Sequence, residues 1–176
     1  MSYPLELMLL TVVSSVVGGQ LSTQAVLWGL LAGIAQAFGV WWFYAALGEG
    51  PISVVSPLTA VLVAGIPVAV GLTMGERPGA WPAVGVVLAL VAIVLVSRDT
   101  TDEDLRPHRF TPRVALLTVG SGVAFGMNFV VLDQVPPEAN LWPLVFGRIA
   151  ATAIVFVAAL STANLVFELG VPLRLA

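Results

Sequence analysis

Five polar side chains that could bind a small solute lie inside stretches of apolar residues. They are Gln36, Ser56, Thr59, Asn128 and Arg148. Amides and hydroxyls can both donate and accept hydrogen bonds, and a guanidinium adds a permanent positive charge. At membrane depth such groups need partners, so they are candidates for the lining of a substrate cavity.

Each of these residues also has a structural interpretation. The amides of Gln36 and Asn128 could hold two helices together instead of binding a substrate. Arg148 lies well inside an apolar stretch, where a cation costs about 2.5–3.5 kcal/mol on insertion scales. We therefore expect it to have a partner or a function, unless it reaches the interface from its position about two turns into the helix. Four carboxylates at the ends of stretches are expected to stay solvated: Glu6, Glu49, Glu76 and Asp133.

Two prolines and two pairs of glycines indicate how these stretches bend and pack. Pro57 and Pro67 fall in one stretch, where each removes a backbone hydrogen bond and tends to kink a helix. The freed carbonyl groups need protein or water, which makes this helix a candidate cavity wall, although kinking alone would also explain the prolines. The glycine pairs have the four-residue spacing of helix-packing faces, which could also let helices slide: Gly29 with Gly33 and Gly122 with Gly126.

Six apolar stretches predict an all-α, polytopic membrane protein. The 176 residues are 59% hydrophobic and 10% charged, too few charges to cover a soluble domain. A run of about 18 apolar residues can cross a bilayer as a helix. The first stretch, at about 13 residues, is short enough to be a core helix instead. The predicted spans are residues 5–17, 27–47, 52–74, 81–96, 114–132 and 141–160.

Several classes of function find no support in this composition. The formal charge is −3 and the chain has no Lys, so we expect no nucleic-acid partner. The absence of Cys and the isolation of His108 in a charged loop predict neither a metal site nor a metal cofactor. Walker A, dinucleotide-binding, HExxH and nucleophile-elbow motifs are absent from the sequence, so we expect no enzyme and no cofactor.

A charged loop, residues 98–113, separates four predicted spans from two. Its arginines favour a cytoplasmic position by the positive-inside rule, although acidic residues are interleaved with them. The simplest interpretation of the loop is a solvated linker. Its arginines are Arg98, Arg106, Arg109 and Arg113.

Between Ala45 and Val96 the chain carries an ordered series of short motifs, which are Ala46-Leu47, Gly50-Pro51, Ser56-Pro57-Leu58, Pro67, Gly75-Glu76 and Gly85. Their order resembles the second half of an EamA domain, the repeat unit of the drug/metabolite transporter superfamily. The helix pair 114–160 resembles the opening helices of the next such repeat, with motifs around Asn128 and Arg148.

This resemblance implies an inverted-repeat helix bundle, here incomplete. It covers helices two to seven of the family's ten-helix plan, which implies a partial first repeat at residues 1–97 and the start of a second at 114–176, joined by the loop 98–113. The family's activity is ATP-independent movement of small metabolites, amino acids or drugs by alternating access. The family tends to place the central loop outside the cell, against the charge count, so the orientation stays open.

The partners implied are the lipid bilayer of an inner or plasma membrane and a small-molecule substrate. A second copy of the chain, or the remainder of the same chain, would supply the missing cavity walls. The alternative function is a non-transporting membrane subunit that docks a partner through its helix faces.

Overall fold

The computed structural model describes residues 3–77, 79–98 and 110–168, and these residues are 86% helix without any strand. This confirms the predicted all-α class, and each predicted span coincides with one helix. A short 3₁₀ helix before the last helix was not predicted. The elements are α1 (Tyr3–Val17), α2 (Thr23–Glu49), α3 (Ile52–Thr73), α4 (Ala80–Arg98), α5 (Pro112–Asp133), the 3₁₀ helix (Pro137–Ala139) and α6 (Trp142–Glu168).

Three of these helices, α2, α3 and α5, are long and apolar enough to cross a membrane. Within the described residues the apolar stretches of the other three are shorter, so their crossing stays a prediction. Large apolar side chains face outward along the helices: Leu116 on α5 is 74% exposed and Trp81 on α4 is 87% exposed. Hydrocarbon rather than water is the solvent that such a surface suits.

Capping residues explain where α2 and α5 begin. The Ser22 hydroxyl accepts a hydrogen bond from the backbone N–H of Ala25 at 3.1 Å, at the start of α2. The Thr111 hydroxyl does the same for Val114 at 3.2 Å, at the start of α5. Pro112 occupies the first helical position of α5, where no backbone donor is needed.

The described residues form two compact units. The first contains the described parts of Met1–Ala37 and Pro136–Ala176, and the second contains those of Phe38–Val135. Helix α2 contributes its beginning to the first unit and its end to the second. The predicted repeat boundaries rest on sequence resemblance and stay a prediction, and residues 99–109 of the charged loop lie outside the described residues.

In the first unit, α2 and α6 approach each other at glycines. A β-carbon at Gly29 would lie 2.5 Å from the carbonyl oxygen of Pro143. One at Gly33 would overlap the carbonyl group of Gly147. In both contacts the two residues are the same number of positions apart in the sequence, so α2 and α6 run parallel here. Residues without side chains permit this backbone approach.

In the second unit, α3 and α5 pack side by side and run in the same direction. Leu62 of α3 fills the space above Gly122 of α5, and Ile66 fills the space above Gly126 one turn later. Helix α4, which connects them in sequence, also packs against α3. This direction is the one expected when consecutive helices cross a membrane alternately. The buried apolar cluster near the start of the pair is formed by Ala46, Val55 and Val114.

Candidate functional site

The five predicted cavity residues are divided between the two units. Gln36 and Arg148 belong to the first unit, and Ser56, Thr59 and Asn128 belong to the second. Gln36 and Ser56 are half-buried, whereas Thr59 is only 4% exposed and Asn128 only 8%. Among the five predicted residues, the most deeply buried are therefore in the second unit.

Thr59 connects α3 to α5 through a buried hydrogen bond. Its hydroxyl lies 3.2 Å from the hydroxyl of Ser121. Ser121 donates its own proton to the carbonyl of Thr118 at 2.9 Å, so in this arrangement its oxygen accepts from Thr59. Sequence reasoning missed Ser121 and Thr118, because hydroxyls that bond within their own helix leave no spacing signal.

Two prolines and a buried amide also lie on this helix pair. Pro57 and Pro67 both lie inside α3, and each removes one backbone hydrogen bond from that helix. Asn128 is buried on α5, about two turns beyond Ser121. We call this contact surface the α3–α5 seam, defined by Thr59 and Pro67 of α3 and by Ser121 and Asn128 of α5.

A cavity of about 280 Å³ opens where α3 and α5 end. Its volume lies close to the lower end of the range of about 300–1,000 Å³ typical of small-molecule pockets. Pro67 joins this cavity to the seam. Glu76 and Asp133, two of the carboxylates that were expected to stay solvated, line this cavity. The sequence therefore indicated the charged residues but not the cavity between them. The lining residues include Pro67, Gly71, Met74 and Glu76 on one side and Phe129, Asp133 and Gln134 on the other.

A tight turn directs Glu76 into this cavity. Gly75 adopts a φ of 93°, a left-handed conformation that favours glycine. The backbone N–H of Gly75 donates to the carbonyl of Leu72 at 3.2 Å, and that of Glu76 donates to Gly71 at 3.0 Å. These are the two hydrogen bonds of a Schellman motif. A β-carbon at Gly71 would lie 2.5 Å from Oε2 of Glu76, so the glycine makes room for the carboxylate.

Arg148 forms an ion pair with Glu6 in the first unit. The side chain of Arg148 is 27% exposed and that of Glu6 is 47% exposed. Because α1 packs against α6, the pair joins two helices from opposite ends of the described chain. The large sequence separation explains why sequence reasoning did not pair these residues.

The comparisons with known proteins add no family to this description. No protein-family model, no curated protein and no solved structure gives a significant match to the chain. The likeness to EamA transporters therefore rests on sequence motifs alone.

Proposed function

We propose that this chain is an EamA-type secondary transporter, or a large part of one, which moves a small organic solute across an inner or plasma membrane. Movement would occur by alternating access and without ATP. The observation that carries the proposal is the α3–α5 seam, where buried polar side chains lie between two helices that are apolar enough to cross a membrane, and one of these helices, α3, contains two prolines.

The seam suits transport because its two helices combine close packing with polar groups. The two prolines of α3 and the buried amide of Asn128 are more than an apolar contact between two helices requires. Prolines inside a transmembrane helix free carbonyl groups, which protein or cavity water can then satisfy. Polar residues at membrane depth are costly, and this cost favours a functional role. The adjoining cavity gives a solute a place to enter at one end of the seam.

The geometry disfavours docking through the predicted glycine faces. Gly29 and Gly33 lie against α6 of the same chain. Gly122 and Gly126 are covered by side chains of α3. A partner would have to displace these contacts, so a non-transporting subunit would need another surface.

Exchange measurements test the two amides of the proposed path. The purified chain is reconstituted into liposomes loaded with a radiolabelled mixture of amino acids and small amines, and counterflow is followed. We expect Gln36→Ala and Asn128→Ala to slow exchange without lowering the folded yield, because each removes a hydrogen-bonding group at membrane depth. Gln24→Ala is the matched control, since Gln24 is an exposed amide at the start of α2.

The amide variants have a clear negative outcome. Exchange at the parent rate in both Gln36→Ala and Asn128→Ala would remove these residues from the transport path. Equal slowing in Gln24→Ala would show that any amide loss perturbs the protein, and it would contradict a specific role for the other two.

A further inference from the structure

We propose that the cavity at the ends of α3 and α5 binds a small organic cation, with Glu76 and Asp133 facing its charged group. The inference rests on the proposed transport function and names its substrate class: an amine or quaternary ammonium ion with an apolar body. The observation behind it is a cavity that joins two carboxylates, an aromatic ring and apolar side chains.

The charge of the cavity favours a cation. Its lining contains Glu76 and Asp133 but no basic side chain. Within the described residues neither carboxylate forms an ion pair, and the polar partner of Asp133 is the neutral amide of Gln134 at 3.4 Å. Glu49 and Glu6 differ, because Arg113 and Arg148 pair with them. The cavity therefore keeps two negative charges for a ligand.

The helix ends add to this negative potential. Helices α3 and α5 both terminate at the cavity, with Met74 and Gln134 as their C-cap residues. The C-terminus of a helix carries a partial charge of about −0.5, which favours cations within the last turn. Two parallel helices thus present the same sign of charge to one cavity. An anionic solute would be repelled from the same place.

The remaining walls suit the apolar part of such a cation. Pro67, Val70 and Met74 contribute apolar surface from α3. Phe129 of α5 lines the opposite side and is 54% exposed, so its ring is accessible to a ligand. A cation within about 6 Å of an aromatic ring is attracted by the ring's quadrupole. The volume of about 280 Å³ limits the ligand to a small molecule.

Binding of radiolabelled tetraethylammonium to the purified chain in lipid nanodiscs tests the site. We expect saturable binding that weakens about tenfold or more in Glu76→Gln and in Asp133→Asn, because each removes one of the two charges. Glu138→Gln is the matched control, since it removes an exposed carboxylate of the first unit and should leave binding unchanged.

Gly71→Ala supplies a test that keeps both charges. Its β-carbon would displace the flexible carboxylate of Glu76, so we expect weaker binding in a folded protein. Gly65→Ala is the control, because no atom lies within 4 Å of its added β-carbon. Absence of binding to the parent chain, or parent-level binding in both Glu76→Gln and Asp133→Asn, would overturn the proposal.

Counterflow separates this inference from the transport proposal. Binding that depends on the carboxylates but without any flux in liposomes would retain the cation site and contradict transport. Saturable flux of amino acids that Glu76→Gln and Asp133→Asn leave unchanged, with no tetraethylammonium binding, would retain transport and contradict the cation site.

Discussion

The ion pair between Glu6 and Arg148 shows how a costly residue is accommodated. Arg148 is the charge that sequence reasoning singled out inside an apolar stretch, and its partner comes from α1. A cation in hydrocarbon is expensive, and an opposite charge on a neighbouring helix reduces this cost. The pair thereby contributes to holding α1 on α6.

A double-mutant cycle measures this contribution. We expect Glu6→Gln and Arg148→Gln each to lower stability by about 1 kcal/mol, equivalent to about 2–4 °C in Tm for a chain of this size. The double variant should lose less than the sum, because it leaves no unpaired charge. Thermal unfolding in nanodiscs is the measurement.

The pair between Glu49 and Arg113 is the matched control for this cycle. Its N–O distance is 3.1 Å, but its side chains are 41% and 75% exposed. Solvent screening should reduce its coupling below that of the Glu6 and Arg148 pair. Additive effects of Glu6→Gln and Arg148→Gln, within about 0.3–0.5 kcal/mol, would contradict an energetic role for the pair.

For individual residues, the sequence indicated which polar side chains matter but not which side chains they contact. Asn128 was expected to need a partner because it is an amide in an apolar stretch, and it is buried. The hydroxyl pair of Thr59 and Ser121 and the ion pair of Arg148 depend on long-range contacts. Such contacts require the arrangement of the helices, which a single sequence does not display.

Close helix packing in the first unit depends on glycine, and Gly33 gives the sharpest test. In Gly33→Ala the new β-carbon would overlap the carbonyl group of Gly147, which is rigid backbone. We expect a loss of about 1–3 kcal/mol, the usual cost of overpacking, because α2 and α6 must move apart. Thermal unfolding or resistance to proteolysis in nanodiscs would measure it.

Gly65→Ala provides the matched control for Gly33→Ala. Gly65 also lies inside a helix, but its added β-carbon would meet no atom within 4 Å. Its effect should be neutral or stabilising, since Ala has the higher helix propensity. Equal stability of the two variants would contradict the close approach of α2 and α6.

Helix positions were the most predictable part of the fold. The predicted span 52–74 agrees closely with the observed α3, Ile52–Thr73. Pro51 and Gly75 mark the two ends of this helix in the sequence itself. The beginning of α2 was placed four residues late, because Ser22 caps a polar first turn that hydropathy does not reveal. The end of α6 was also placed too early, since polar residues follow the apolar run.

Because α3 and α5 run in the same direction, we can predict on which side of the membrane each of their ends lies. If α3 and α5 both cross the membrane, their N-terminal ends lie on one side of it, and we expect α4 between them to cross back. The chain has no Cys, so single cysteines report without background. We expect Gly48→Cys and Phe110→Cys to react with an impermeant maleimide from one side, and Met74→Cys and Gln134→Cys from the other.

Labelling of intact cells and inverted vesicles distinguishes the outcomes. Reaction of Gly48→Cys and Phe110→Cys from opposite sides would contradict parallel crossing of α3 and α5. The side on which Phe110→Cys reacts also shows which side of the membrane the charged loop 98–113 faces. Labelling of Phe110→Cys from outside would match the topology usual among EamA transporters, which the sequence resembles, and labelling from inside would match the positive-inside rule.

Counterflow by the reconstituted chain is the decisive experiment for the transport proposal. Liposomes preloaded with unlabelled amino acids and small amines are diluted into the same solutes in radiolabelled form, without ATP. The proposal predicts a saturable, transient accumulation above the equilibrium level, which Asn128→Ala slows and Gln24→Ala does not. Uptake equal to that of protein-free liposomes for every solute would contradict it.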